Sequence, residues 1–118
     1  MNILYVENHR QFAAIAVKIF LAEHAVTVVP SVAGAREALA RSRFDLVLLD
    51  HDLDDGKGTE LASELQARPD RPLILAASSH AAGNEALLQA GADGVCGKRE
   101  FGGIGEIIAR LEKTRPAD

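Results

Sequence analysis

Five short apolar runs punctuate this chain, and behind each lies a segment in which apolar residues recur at helical rather than alternating spacing. Ile3 to Val6 is the first run, and Phe12, Ile15, Ala16, Ile19 and Phe20 follow it over a segment reaching Ala22, which predicts one strand and one amphipathic helix. Ala25 to Val29 is β-branched and strand-like, and Ser31 stands where it would cap a helix running through Ala35, Ala38 and Leu39. Asp45 to Leu49 is charged only at its first position, the pattern of a strand covered on both faces, and Leu61 to Ala67 is its helix, ended by Pro69 and Pro72. Leu73 to Ala77 and Ala86 to Ala90 repeat the unit, with Gly91 as the stop. Gly94 to Gly97 is a short fifth strand, and Ile104, Ile107, Ile108 and Leu111 stripe the last helix.

Alternation of this kind, with connections of this length, predicts an α/β fold: a doubly wound parallel sheet with right-handed crossovers and helices on both faces. The flavodoxin-like strand order 2-1-3-4-5 is the natural one for five units. At 118 residues the chain reads as one domain, 1–118, with 113–118 as a loose tail and no room for a second, output domain. Thirteen basic against 17 acidic residues leave a formal charge of −4, the wrong sign for living on nucleic acid or an anionic membrane. The single Cys96 has no partner for an internal disulfide, and the first strand follows Met1 without a basic, then apolar, leader, so a cytoplasmic location is expected. No run approaches the ~20 apolar residues of a membrane span.

The chemistry gathers where the strands end. Asp50 closes the third run, at the carboxyl edge of the expected sheet, where open α/β folds place their ligands. Asp52, Asp54, Asp55, Gly56 and Gly58 follow in a turn before the next helix. Alone, that stretch favours the plainer reading of a strand-capping Asp and a solvated acidic turn. The topology adds Glu7, Asn8 and His9 after strand one, Ser78, Ser79 and His80 after strand four, and Lys98 after strand five.

The strand, its terminal Asp50, Leu53 and Gly58 eight residues on resemble the core of the response-regulator receiver family, and the resemblance extends over nearly the whole chain. It implies a phosphoryl-accepting Asp50, a Ser78 that contacts the phosphoryl group, a Lys98 that pairs with it, and Mg²⁺ held by Glu7, Asn8, Asp50 and the backbone carbonyl of Asp52. A carboxylate that must meet an anionic phosphoryl donor needs such a cation and such a lysine to offset the repulsion. Counted back from Gly91 and Lys98 the Ser position is Ser78; counted forward from Pro72 it is Ala77. Asp54 stands where the family usually has Pro, and Asn8 stands for the second acid of the metal pair. An amide oxygen is a neutral ligand, so Mg²⁺ is expected to bind weakly.

The implied partners are a histidine kinase or phosphotransfer protein upstream and a downstream protein met through Leu88, Val95 and the last helix, with a weak homodimer as a further expectation. Val95 stands where the family carries an aromatic, and Leu88 and Val95 are expected to form a small exposed apolar patch. The rival reading is a pseudo-receiver that binds partners without being phosphorylated. A flavin-binding electron carrier would need aromatic walls and a phosphate cradle that these loops lack, and Gly102 to Gly105 lacks the spacing of a phosphate loop. His9, His51 and His80 share the acidic rim and raise a transition-metal site as an alternative; His24 lies elsewhere, and Cys96 reads as a small buried residue.

Overall fold

In the computed structural model, which describes residues 1–114, the chain runs β1 (Asn2–Val6), α1 (Arg10–Phe20), β2 (Ala25–Val29), α2 (Val32–Arg41), β3 (Leu46–Leu49), β4 (Asp52–Leu53), β5 (Gly56–Lys57), α3 (Gly58–Gln66), β6 (Leu73–Ala76), α4 (Ala81–Gln89), β7 (Gly94–Val95), a 3-10 helix (Lys98–Gly103) and α5 (Ile104–Thr114). The main sheet has the order β2-β1-β3-β6-β7 and every pair in it is parallel. That is the expected 2-1-3-4-5 once β4 and β5, which pair only with each other as an antiparallel hairpin, are set aside.

Side chains that alternate along each strand feed two separate cores. Ile3, Tyr5, Leu46, Leu48, Leu73, Leu75 and Cys96 face Ala13 and Ala16 of α1 and Phe101, Ile104 and Ile108 at the end of the chain. Leu4, Val6, Val47, Leu49, Ile74 and Ala76 face Val32 of α2, Leu61, Ala62 and Leu65 of α3 and Leu87 of α4. Runs buried on both faces are what helices on both sides of a parallel sheet demand.

Several expected boundaries move. Helix α3 starts at Gly58 rather than Leu61, and α4, expected to include Ala86 to Ala90, runs from Ala81 to Gln89. Strand β7 keeps only Gly94 and Val95, because Cys96 and Gly97 already lead into the 3-10 helix. Gly91 does stop α4, with φ of 122°, a conformation that favours glycine. The apolar stripe expected on α1 is corrected: Ala13 and Ala16 are buried, while Ile15 and Ile19 are 56% and 62% exposed. The small alanines let the helix lie close on the sheet, and the wider apolar pattern spills past the contact. Lys113 and Thr114, expected in the loose tail, complete α5; residues 115–118 lie outside the described residues. Among the described residues no helix is long and apolar enough to cross a membrane.

Candidate functional site

Strand alternation carries past the strand ends. Glu7 continues the Ile3–Tyr5 side of β1, Asp50 the Leu46–Leu48 side of β3, and Lys98 the side of Cys96, so the three converge over the α1 and α5 face. Lys98 Nζ lies 2.7 Å from Glu7 Oε1 and 3.6 Å from Asp50 Oδ2. Glu7 is 0% and Asp50 6% exposed. The ammonium of Lys98 also sits over the Phe12 ring, 5.2 Å from its centroid. Glu7 Oε2 accepts the His9 backbone N–H at 3.1 Å, and Asp50 Oδ1 accepts that of His51 at 2.8 Å, which orients both carboxylates.

Two carboxylates thus share one ammonium in a nearly dry site. Burial pushes the Glu7 carboxyl above its ordinary range, and the neighbouring Asp50 adds to this against the opposing pull of Lys98 and the His9 N–H. Below them Tyr5 is fully buried with a hydroxyl that has no hydrogen-bond partner among the described residues, and burial first, then Glu7, Asp50 and Cys96, raise its phenol pKa. Burial, then Glu100, pushes the Cys96 thiol up to about 11, so it stays a protonated core residue as expected.

The two competing positions at the end of the fourth strand face different ways. Ala77 is buried in the α1 and α5 core, whereas Ser78 turns to the other side. Ser78 Oγ accepts the His80 N–H at 3.1 Å, and Asn84 clasps the Ser78 backbone, accepting its N–H at 2.9 Å and donating to its carbonyl at 3.1 Å. A Cβ on Gly83 would lie 2.8 Å from that hydroxyl, so the first turn of α4 is packed against it.

The other two expected metal-site residues stand at the exposed rim. Asn8 is exposed. The carboxylate of Asp52 turns out to Lys57 and, at 3.4 Å, to His51, and the Lys57 contact holds its pKa below the ordinary carboxylate value. Only the backbone of Asp52 therefore remains for the site. The histidines do not converge either: His9 caps α1 by accepting the Phe12 N–H at 3.0 Å, His51 faces Asp52, and exposed His80 begins α4. Among the described residues no three His, Cys, Asp or Glu side chains gather as metal ligands. What the rim does offer is two carboxylates, an amide and a carbonyl, an all-oxygen set with one negative charge in excess over Lys98, which fits a hard divalent cation better than a transition metal.

Reading the sequence passes over Phe12, Asn84 and Gly83, because each serves the site only through tertiary contact; Asn84 on the first turn after Ser78 is the one sequence signal. A groove of about 470 Å³ leads from Ser78 and Lys98 past Asn84 to Leu88 and Val95. Leu88 is exposed there, Leu87 is fully buried, and Val95 is half-buried against the second core.

The sequence matches the response regulator receiver domain family over residues 3–112. Among the solved structures similar to it are three receiver domains. A CheY-like response regulator receiver domain protein from Methanospirillum hungatei JF-1 superposes with a TM-score of 0.77 at 22% identity, covering 95% of this chain and 94% of that one. The signal receiver domain of a signal transduction histidine kinase from Syntrophus aciditrophicus gives 0.82 at 22% identity, with 99% and 94% covered. The receiver domain of a sensor histidine kinase from Pseudomonas aeruginosa PAO1, which has a magnesium ion coordinated in its active site cleft, gives 0.80 at 23% identity, with 96% and 98% covered. Comparison with curated proteins returned no match.

Proposed function

This chain belongs to the response regulator receiver domain family, and from that membership we propose that it accepts a phosphoryl group on Asp50 from a histidine kinase or phosphotransfer protein and signals through a protein-binding surface. The observation that carries this is a buried Asp50 carboxylate at the end of β3, oriented by the His51 N–H and 3.6 Å from Lys98. An Asp50 oxygen attacks the phosphorus, the bond from phosphorus to the donor nitrogen breaks with its electron pair leaving on the imidazole, and an acyl phosphate forms on Asp50. Lys98 offsets the charge of the transferred oxygens, and Ser78, braced by Asn84, contacts them. Glu7, Asn8, Asp50 and the Asp52 carbonyl are the groups that would hold Mg²⁺, which supplies further charge neutralisation when bound, and neutral Asn8 makes that binding weak. The protein is a phosphoacceptor in a cytoplasmic relay rather than a turnover enzyme, and it contacts no nucleic acid or membrane. Its output runs through Leu88, Val95 and α5, with weak self-association on the same face.

Incubation with acetyl phosphate and Mg²⁺ should add one phosphoryl group by intact mass, and Asp50→Asn should remove the adduct without loss of fold. No adduct at high Mg²⁺, or one that survives in Asp50→Asn, overturns the reading. In that outcome a phosphorylation-independent interaction module takes its place, a reading favoured by Lys98 sitting closer to Glu7 than to Asp50 and by the missing charge at Asn8.

A further inference from the structure

The loop behind Asp50 is tied to a distant part of the fold by a residue that the site itself does not use. Asp55, at the tip of the β4–β5 hairpin, accepts the Val32 N–H on Oδ1 at 2.7 Å and the Ala33 N–H on Oδ2 at 3.0 Å. Ser31 Oγ accepts the next N–H, of Gly34, at 2.9 Å. The free N–H groups of Val32, Ala33 and Gly34 in the first turn of α2 are therefore filled, two of them by a carboxylate from 23 and 22 residues downstream. The pairing is charge-assisted and lies at the positive end of the helix dipole. Alongside it the Asp54 N–H reaches the Pro30 carbonyl at 3.3 Å, and Leu53 packs into the same core as Val32. The near end of the loop is closed by Lys57 on Asp52, by Glu60 on the Lys57 N–H and by the Gly58 N–H on the His51 carbonyl at 2.7 Å.

We propose that Asp55 is a positioning residue for the acid site: it latches the 51–57 loop to α2 and so fixes the Asp52 backbone relative to Asp50 and Glu7. This rests on the reading that the Asp52 carbonyl faces a bound divalent cation. Without the latch the cation must order the loop when it binds, which lowers its affinity but leaves the phosphoryl transfer that follows unchanged. By reciprocity, Mg²⁺ in the wild-type site slows opening of the first turn of α2.

The test uses the full chain as wild type, Asp55→Ala, Asp55→Asn and Ser31→Ala. The last variant loses a cap on the same helix without touching the loop, and so separates the latch from simple weakening of α2. Amide exchange without metal should quicken roughly tenfold at Val32, Ala33 and residues 52–57 in Asp55→Ala. Affinity for Mg²⁺ alone should fall about fivefold or more, while the acetyl phosphate rate at saturating Mg²⁺ stays at the wild-type value. Asp55→Asn, with one amide oxygen for two donors, should fall between. Ser31→Ala should leave loop exchange and Mg²⁺ affinity as they are. Faster exchange confined to Val32 and Ala33, or equal loss of Mg²⁺ affinity in Ser31→Ala, overturns the proposal. If the wild type binds no Mg²⁺ and takes no phosphoryl group, the functional reading fails instead, and loop exchange alone decides the latch: released in Asp55→Ala it stands, unchanged it falls.

Discussion

Glu7 is the residue at which burial and charge conflict most. Its carboxyl is held above the ordinary 4.5 chiefly by burial and secondly by Asp50, so the folded state binds that proton more tightly than the unfolded chain does. The stability this contributes is fully present below the ordinary value and is lost as pH rises through it to the raised one. Asp52 and Asp55, whose pKa values are lowered from 3.8, act in the opposite sense and in a separate window, losing their contribution as pH falls below that value. Urea midpoints measured from pH 4 upward should therefore decline in the wild type and stay flat in Glu7→Gln; parallel curves would assign the decline elsewhere. Asn8 is the complementary case, an exposed neutral residue beside an acid cluster. Asn8→Asp adds a partly solvated charge and should tighten Mg²⁺ by about 1–2 kcal/mol, roughly tenfold in a direct titration.

Among the elements, the junction of β3 with α3 has the least slack. A Cβ on Gly58 would overlap the carbonyl oxygen of Asp50, since the first residue of α3 is pressed against the end of the strand. The Gly eight residues after Asp50 is thus needed for close approach, not for an unusual φ, as no residue other than Gly91 has positive φ among those described. Gly58→Ala should lower stability by about 1–3 kcal/mol, the usual range for overpacking, read as a lower urea midpoint with unchanged slope. Because the shift falls on the Asp50 backbone, the rate of phosphoryl uptake should drop in the same variant. A stable protein with normal uptake would mean that the helix start can move aside.

For the whole molecule the question is how a change at Asp50 reaches a partner. The groove from Lys98 and Ser78 to Leu88 and Val95 joins the acid site to the α4 surface. A valine has one stiff torsion and no ring to turn between buried and exposed positions, so the groove offers a standing apolar edge at Leu88 rather than a gated one. Leu88→Glu and Val95→Glu should each weaken partner capture or self-association in sedimentation, and phosphodonor should change the wild-type affinity by about 1 kcal/mol, the low end for coupled sites. Binding indifferent to both substitutions, or strongly switched on by phosphodonor, would place the output elsewhere.

The five strands of the main sheet and their order were legible in the sequence, because runs buried on both faces have few places to sit and short connections leave one economical winding. Asp50 and Lys98 were legible for the same reason: each follows a strand, and strand ends converge at one edge of a parallel sheet. Tertiary structure alone decided the rest. That Ala77 packs into the α1 and α5 core while Ser78 faces the first turn of α4 depended on which side of the sheet the parity of β6 leaves each residue. That Asp52 turns its carboxylate out while Asp55 caps a helix 23 residues earlier could not be read from a run of acidic turn residues, which look alike until a neighbouring helix supplies free N–H groups. The exposure of Ile15 and Ile19 likewise follows from how closely Ala13 and Ala16 let α1 approach the sheet, a distance set by packing and invisible to periodicity.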